Sequence, residues 1–95
     1  MTDAERLALL KIDLQLMTNA FDDYLLALLG AARDMIARAG ARLTESAEDE
    51  QLLRMYAAYL YRKRAEDKPD MPRMLRWALN NRIFSGKARE DNAAR

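Results

Sequence analysis

Apolar residues recur along this chain at three- and four-residue steps, broken by three polar, glycine- or proline-bearing interruptions, and that rhythm predicts four helices. The first opens on Thr2-Asp3-Ala4-Glu5, a capping-box pattern in which the threonine hydroxyl takes one free backbone N–H and the glutamate another. Leu7, Leu10 and Leu14 share a face, with Leu9, Ile12 and Leu16 beside them, and the polar pair Thr18-Asn19 ends the segment. A second helix starts at Asp22-Asp23, where carboxylates suit the positive end of the helix dipole, and closes at Ala39-Gly40. Phe21, Leu25, Leu28, Leu29, Ala32, Met35 or Ile36, and Ala39 form its broad stripe. About 18 residues make it roughly 27 Å long.

The third helix takes Ser46 as N-cap, after the linker Ala41-Arg42-Leu43-Thr44-Glu45, with Glu48-Asp49-Glu50 loading its first turn. Its predicted stripe is Leu52, Met55, Tyr56, Tyr59 and Leu60, and its last turn is Arg62-Lys63-Arg64. A linker this short folds helices two and three back on each other as an antiparallel hairpin. Asp67-Lys68-Pro69-Asp70-Met71-Pro72 reads as stop, turn and restart, since proline suits the first helical position and not the interior. The last helix then runs from about Pro72 to Asn81 with Met74, Leu75, Ala78 and Leu79 inward, and Ile83 and Phe84 extend its apolar surface. The expected fold class is all-α, a small bundle of about four helices centred on the hairpin. One domain spans residues 1–84, and residues 85–95, without periodicity, form a disordered tail.

Composition supports helices: Ala, Leu, Met, Arg and Glu abound, while β-branched residues are scarce. A chain of 95 residues has one thin core, burying roughly 60–65% of its unfolded surface, so association with other subunits is a natural route to stability. The absence of cysteine and histidine removes disulfides, the common nucleophile–base pairs and most zinc sites. We therefore expect no enzyme, no catalytic residue and no cofactor. Acids in Met1-Thr2-Asp3-Ala4-Glu5-Arg6 and the lack of a membrane-length apolar run lead us to expect a soluble protein of a reducing cytoplasm.

The net charge of +1 conceals an asymmetry. Residues 1–53 carry 5 Lys/Arg and 10 Asp/Glu, net −5; residues 54–95 carry 11 and 5, net +6. Acidic and basic faces packing within one subunit would explain this, as would neighbouring copies attracting each other, or a basic surface facing nucleic acid.

Candidate chemistry is sparse. Gly30, Gly40 and Gly86 are too far apart for a phosphate loop. Asp22-Asp23 and Glu48-Asp49-Glu50 sit at helix starts, where capping accounts for them, and lack the spacing of a calcium loop; no metal is expected. Of the tyrosines, Tyr56 and Tyr59 belong to the stripe, whereas Tyr61, about 100° from Leu60, is the better candidate for exposure. Trp77 either closes the core from the side or anchors a partner. Arg54, Arg62, Lys63, Arg64, Lys68, Arg73, Arg76, Arg82, Lys87 and Arg89 could form a patch for phosphates. The short, apolar fourth helix makes a poor recognition helix, so sequence-specific DNA reading is not expected.

Three segments, taken in order, resemble the small head-tail connector (adaptor) proteins of tailed bacteriophages and prophages. They are Leu9-Leu10-Lys11-Ile12-Asp13-Leu14; Asp22-Asp23-Tyr24-Leu25-Leu26 leading through Ala31-Ala32-Arg33-Asp34-Met35-Ile36 to Ala39-Gly40; and Leu52-Leu53-Arg54-Met55-Tyr56-Ala57-Ala58-Tyr59-Leu60-Tyr61. The resemblance covers about residues 7–84 and departs from the family in the compact Pro69–Pro72 link. It implies a structural virion protein, made in the bacterial host cytoplasm, whose copies form a homo-oligomeric ring under the portal protein. A tail-completion or stopper protein would be the next partner, with DNA passing through without sequence specificity, and with no membrane and no small-molecule substrate. Arg62, Lys63, Arg64, Arg73, Arg76 and Trp77 are the candidate partner or subunit contacts. The alternative is a small nucleic-acid-binding or regulatory protein that uses the basic C-terminal half.

Overall fold

The computed structural model describes residues 1–64 and 71–93, with side chains through residue 86. Four helices follow in order: α1 (Asp3–Asp13), α2 (Asp22–Ala39), α3 (Ala47–Lys63) and α4 (Arg73–Ala93). No strand occurs among the described residues, and the all-α bundle expected from the periodicity is what forms. The proposed turn at Asp67-Lys68-Pro69-Asp70 lies outside the described residues.

Local chemistry sets three of the helix ends. Thr2 and Glu5 make the full capping box at the start of α1. Ser46 caps α3, its hydroxyl accepting from the Asp49 backbone N–H at 3.2 Å. Gly40, at φ 108°, closes α2 in the left-handed region, and the Ala41 N–H reaches back to the Ile36 carbonyl at 3.2 Å. The end of α1 comes earlier than Thr18-Asn19, and the correction is a cap the sequence did not advertise. Leu16 N–H bonds the Lys11 carbonyl and Gln15 N–H the Ile12 carbonyl, the hydrogen-bond pair that usually carries glycine at the left-handed position. Gln15 holds that position at φ 58°.

α3 is the centre of the bundle, in contact with every other helix. Phe21, at the start of α2, meets Tyr61 edge to face at 6.5 Å near the end of α3, while Ala37 and Leu53 line one groove at the other end, so α2 and α3 run antiparallel. α1 lies across the pair, Arg6 reaching Glu50 and Lys11 reaching Asp22. Antiparallel to α3 on its remaining side runs α4: Pro72 and Leu75 share a cleft with Arg62, and Arg82 reaches Asp49.

Leu10, Leu25, Leu29 and Ile36 are sealed between α1, α2 and α3, and Leu75 and Leu79 join them from α4. The α3 stripe is displaced from its expected position. Leu52, Leu53, Ala57 and Ala58 are buried, whereas Met55, Tyr56, Tyr59 and Leu60 are only partly so. A helix packed on three sides buries the small alanines where neighbours approach closest, and its larger side chains fill the margins. Ile12, expected beside the α1 stripe, is 70% exposed.

α4 also departs from expectation, continuing past Asn81 and through Ser85-Gly86 to Ala93. Residues 85–93, expected to be disordered, are therefore helical in backbone. The polar signals after Asn81 are overridden at least as far as Arg82 and Ile83, which pack against α3 and the α2–α3 linker.

Candidate interaction surface

The first-turn acids of α3 do more than favour the helix dipole. Asp49 and Glu50 are 2% and 5% exposed, adjacent in sequence and turned toward different helices. Asp49 takes the Arg82 Nε–H at 2.6 Å on one oxygen, and the Thr44 N–H and hydroxyl at 2.7 and 2.8 Å on the other. Arg82 donates one of its two terminal amines to the Arg42 carbonyl. Burial pushes Asp49 upward, but the hydrogen bonds from Arg82 and Thr44 outweigh it and hold the carboxyl below its ordinary value. Glu50 is held below its ordinary value by a two-pronged hydrogen bond from Arg6, Nε to Oε2 at 2.9 Å and an amine to Oε1 at 2.8 Å, against the opposing effect of burial. These two pairs tie α1 and α4 to the start of α3. They also remove Arg82 from the candidate phosphate patch, and Asp49 and Glu50 from any open acidic cluster. Among the described residues no group of three or more acidic, histidine or cysteine side chains gathers as a metal cage would. Nor is any described helix long and apolar enough to cross a membrane.

Cross-half packing thus accounts for part of the charge asymmetry. Arg82 meets Asp49 and, more loosely at 3.5 Å, Arg54 meets Asp13. Arg62, Lys63, Arg73 and Arg76 are exposed and make no ion pair within the described residues. They stand at one end of the bundle, where α3 finishes and α4 begins. Arg62 lines a cleft of 270 Å³ there with Pro72, Met74 and Tyr59. Lys68 lies outside the described residues, as do the side chains of Lys87 and Arg89.

Arg64 has a different occupation. Its guanidinium lies 4.2 Å from the Tyr61 ring centroid, 5.4 Å from that of Phe21 and 5.7 Å from that of Tyr24, and it donates to the Tyr61 hydroxyl at 2.8 Å. The end of α3 is thereby pinned to the start of α2. Tyr61, expected to be exposed, is half-buried by this cluster, like Tyr56 and Tyr59, whose rings meet edge to face at 6.0 Å.

Of the two roles open to Trp77, closing the core is not the one it takes: it is 68% exposed. Met74, expected inward, is 74% exposed, and Phe84 is 76% exposed. Leu75, Leu79 and Arg82 set the buried face of α4, and at 100° per residue Trp77 and Phe84 lie on the side opposite. Met74 and Trp77 rim a 240 Å³ cleft against Leu52 and Met55 of α3. The sequence signal for this second face was the three- and four-residue spacing of Met74, Trp77, Asn81 and Phe84, masked by the apolar positions interleaved with it.

The fold and this surface define a small all-helical protein presenting an aromatic helix face bordered by exposed arginines. No protein-family model matches the chain, and neither a curated protein nor a solved structure is significantly similar to it.

Proposed function

We propose that this chain is a structural head-tail connector of a tailed phage or prophage, which assembles as a ring under the portal and joins capsid to tail around the DNA channel. The observation that carries the reading is the outward face of α4, where Met74, Trp77 and Phe84 are exposed together beside Arg73 and Arg76. Large apolar side chains exposed on one face beside charged ones are a usual mark of a protein contact. The resemblance in residues 7–84 supplies the particular assembly. On this reading the protein works by assembly, without chemistry of its own, and it resides in the virion at the head-tail interface. The portal and a tail-completion protein are its partners, and basic side chains line the passage of DNA without reading its sequence.

Native mass spectrometry over a concentration series, with and without the portal ring encoded in the same gene cluster, tests the proposal. Rings or portal-bound copies support it; a strict monomer that also ignores the portal refutes it. A portal, protease and major capsid gene just upstream is the matching genomic expectation.

Four bases at the α3–α4 end, without an ion pair among the described residues, favour a second reading, a small nucleic-acid-binding protein. A gel shift with duplex and single-stranded DNA across a salt series separates the two. Primary phosphate contacts give an affinity that falls steeply with salt, by one power of salt for roughly each phosphate neutralised.

A further inference from the structure

We infer that the outward face of α4 docks onto the outer face of α2 in a second copy of this chain, a head-to-tail contact that names the partner surface for the assembly proposed above and rests on that reading. The donor face carries Met74, Trp77 and Phe84, each at least two-thirds exposed, with Arg73 one turn before Trp77 and Arg76 adjoining it. Trp77 and Phe84 are seven residues apart, two turns on the same side, so their rings project as neighbouring knobs roughly 10 Å apart along the helix.

Charge and shape together identify the acceptor. In the acidic half, Asp3, Asp13, Asp22, Asp49 and Glu50 are already engaged by Arg6, Arg33, Arg54, Lys11 or Arg82. Five further acids are exposed and make no ion pair within the described residues: Glu5, in the α1 capping box, Glu45 and Glu48, at the start of α3, and the α2 pair Asp23 and Asp34. Both lie on the side of α2 turned away from Leu25, Leu29 and Ile36, in line with Ala27 and Gly30 between them. The surface between these acids is shallow: a Cβ placed on Gly30 would find nothing within 4 Å. Leu26, at 37% exposed, borders it. A low, partly apolar strip bracketed by two carboxylates is complementary to two aromatic knobs accompanied by two arginines.

The same charges argue against α4 pairing with α4. Parallel pairing brings Arg73 and Arg76 of two copies together, whereas α4 on α2 joins opposite signs. Because the whole chain carries only +1, copies do not repel one another at long range. The contact is heterologous, leaving a joined pair one free donor and one free acceptor, so it propagates, and closes into a ring where the rotation between copies allows. Three side chains of this size expose roughly 400 Å², about half of the ~800 Å² per partner typical of a stable pair. Pairwise association is accordingly weak, and closure is what makes it persist.

Sedimentation velocity and native mass spectrometry of the full chain, over a concentration series at low and high salt, provide the test. The wild-type chain is expected to associate, more weakly as salt rises. Trp77→Ser with Phe84→Ser should weaken association at least about 30-fold while leaving the helical circular dichroism unchanged, since neither side chain is in the core. Reversing the donor charges (Arg73→Glu, Arg76→Glu) should leave a chain that is monomeric alone, as should reversing the acceptor charges (Asp23→Lys, Asp34→Lys). Mixing the two, or combining all four changes in one chain, should restore assembly. Association that ignores these substitutions, or charge reversals that are not rescued by mixing, overturns this contact and leaves the connector reading standing on another surface. A wild-type chain that stays monomeric yet binds the portal ring also overturns the contact alone. One that does neither overturns both.

Discussion

Replacing Arg82 by methionine removes the guanidinium from Asp49 while keeping most of the side chain's volume on α4. The Arg82 side chain is 8% exposed and that of Asp49 1%, so water is largely kept from the carboxylate that remains. Breaking one partner out of a buried pair costs about 3–5 kcal/mol. Here the lower end applies, because Asp49 retains two hydrogen bonds from Thr44. Losing the bond to the Arg42 carbonyl adds about 1 kcal/mol. A total near 4 kcal/mol is a large part of the roughly 5–14 kcal/mol expected for a domain of this length. Urea denaturation followed by circular dichroism at neutral pH measures it. The loss should also depend on pH. Asp49 is held below its ordinary value in the folded protein, so its contribution is fully present above the unfolded carboxylate pKa, about 4, and disappears as pH falls through the lowered folded value. Adding Asp49→Asn to the variant should recover more than about 1 kcal/mol by removing the stranded charge. A cost below about 1 kcal/mol at neutral pH, or no recovery in the double variant, would refute the assignment of this pair as the anchor of α4.

Glu50→Gln should cost about 1.5–3 kcal/mol and flatten the acid limb of the stability profile. Glu50 sits below its ordinary value, so its contribution is complete above that value and is lost as pH falls through the lowered folded one; an unchanged profile between about pH 5 and about pH 2 would count against the Arg6 clamp. Gln15→Gly relieves a non-glycine residue at φ 58° and should raise stability by about 0.5–1 kcal/mol, read as a higher Tm. Gly30→Ala meets open space on an outer helix face and should stabilise the isolated domain by up to about 1 kcal/mol; destabilisation would mean that the face is covered in the monomer. Ser46→Ala should cost about 1 kcal/mol by freeing the Asp49 N–H, checked by the same denaturation curves.

Several elements could be read directly from short-range pattern. The capping box at Thr2 and Glu5, the Ser46 cap, the close of α2 at Gly40 and the antiparallel hairpin depend on residues within a few positions of each other or on a short linker. The Gln15 cap was hidden because glutamine carries no signal for a left-handed backbone; the backbone bonds to Lys11 and Ile12 and the packing of Leu14 and Leu16 against the core hold it there. The candidate surface was half legible. Arg62, Lys63, Arg73, Arg76 and Trp77 were picked out as residues left over after the stripes were filled, and the structure leaves all five exposed. Arg64 was in the same set, yet its three aromatic neighbours come partly from another helix. Met74 and Leu75 illustrate the ambiguity of adjacent apolar positions: each fits an apolar stripe, and the choice between them depends on where α3 stands.

Periodicity and caps determined by themselves that this is an all-α chain, where three of the four helices begin, and that bases cluster on either side of the α3–α4 link. Those properties arise from hydrogen bonds and side-chain spacing within a turn or two of helix. Tertiary structure alone decided which acids are buried and which remain free, and which side of α4 is left uncovered. Asp49 and Asp23 are indistinguishable as helix-start acids until Arg82 arrives from 33 residues away to claim one of them. Electrostatic pairing and burial depend on distances between helices, and those distances exist only once the bundle has packed.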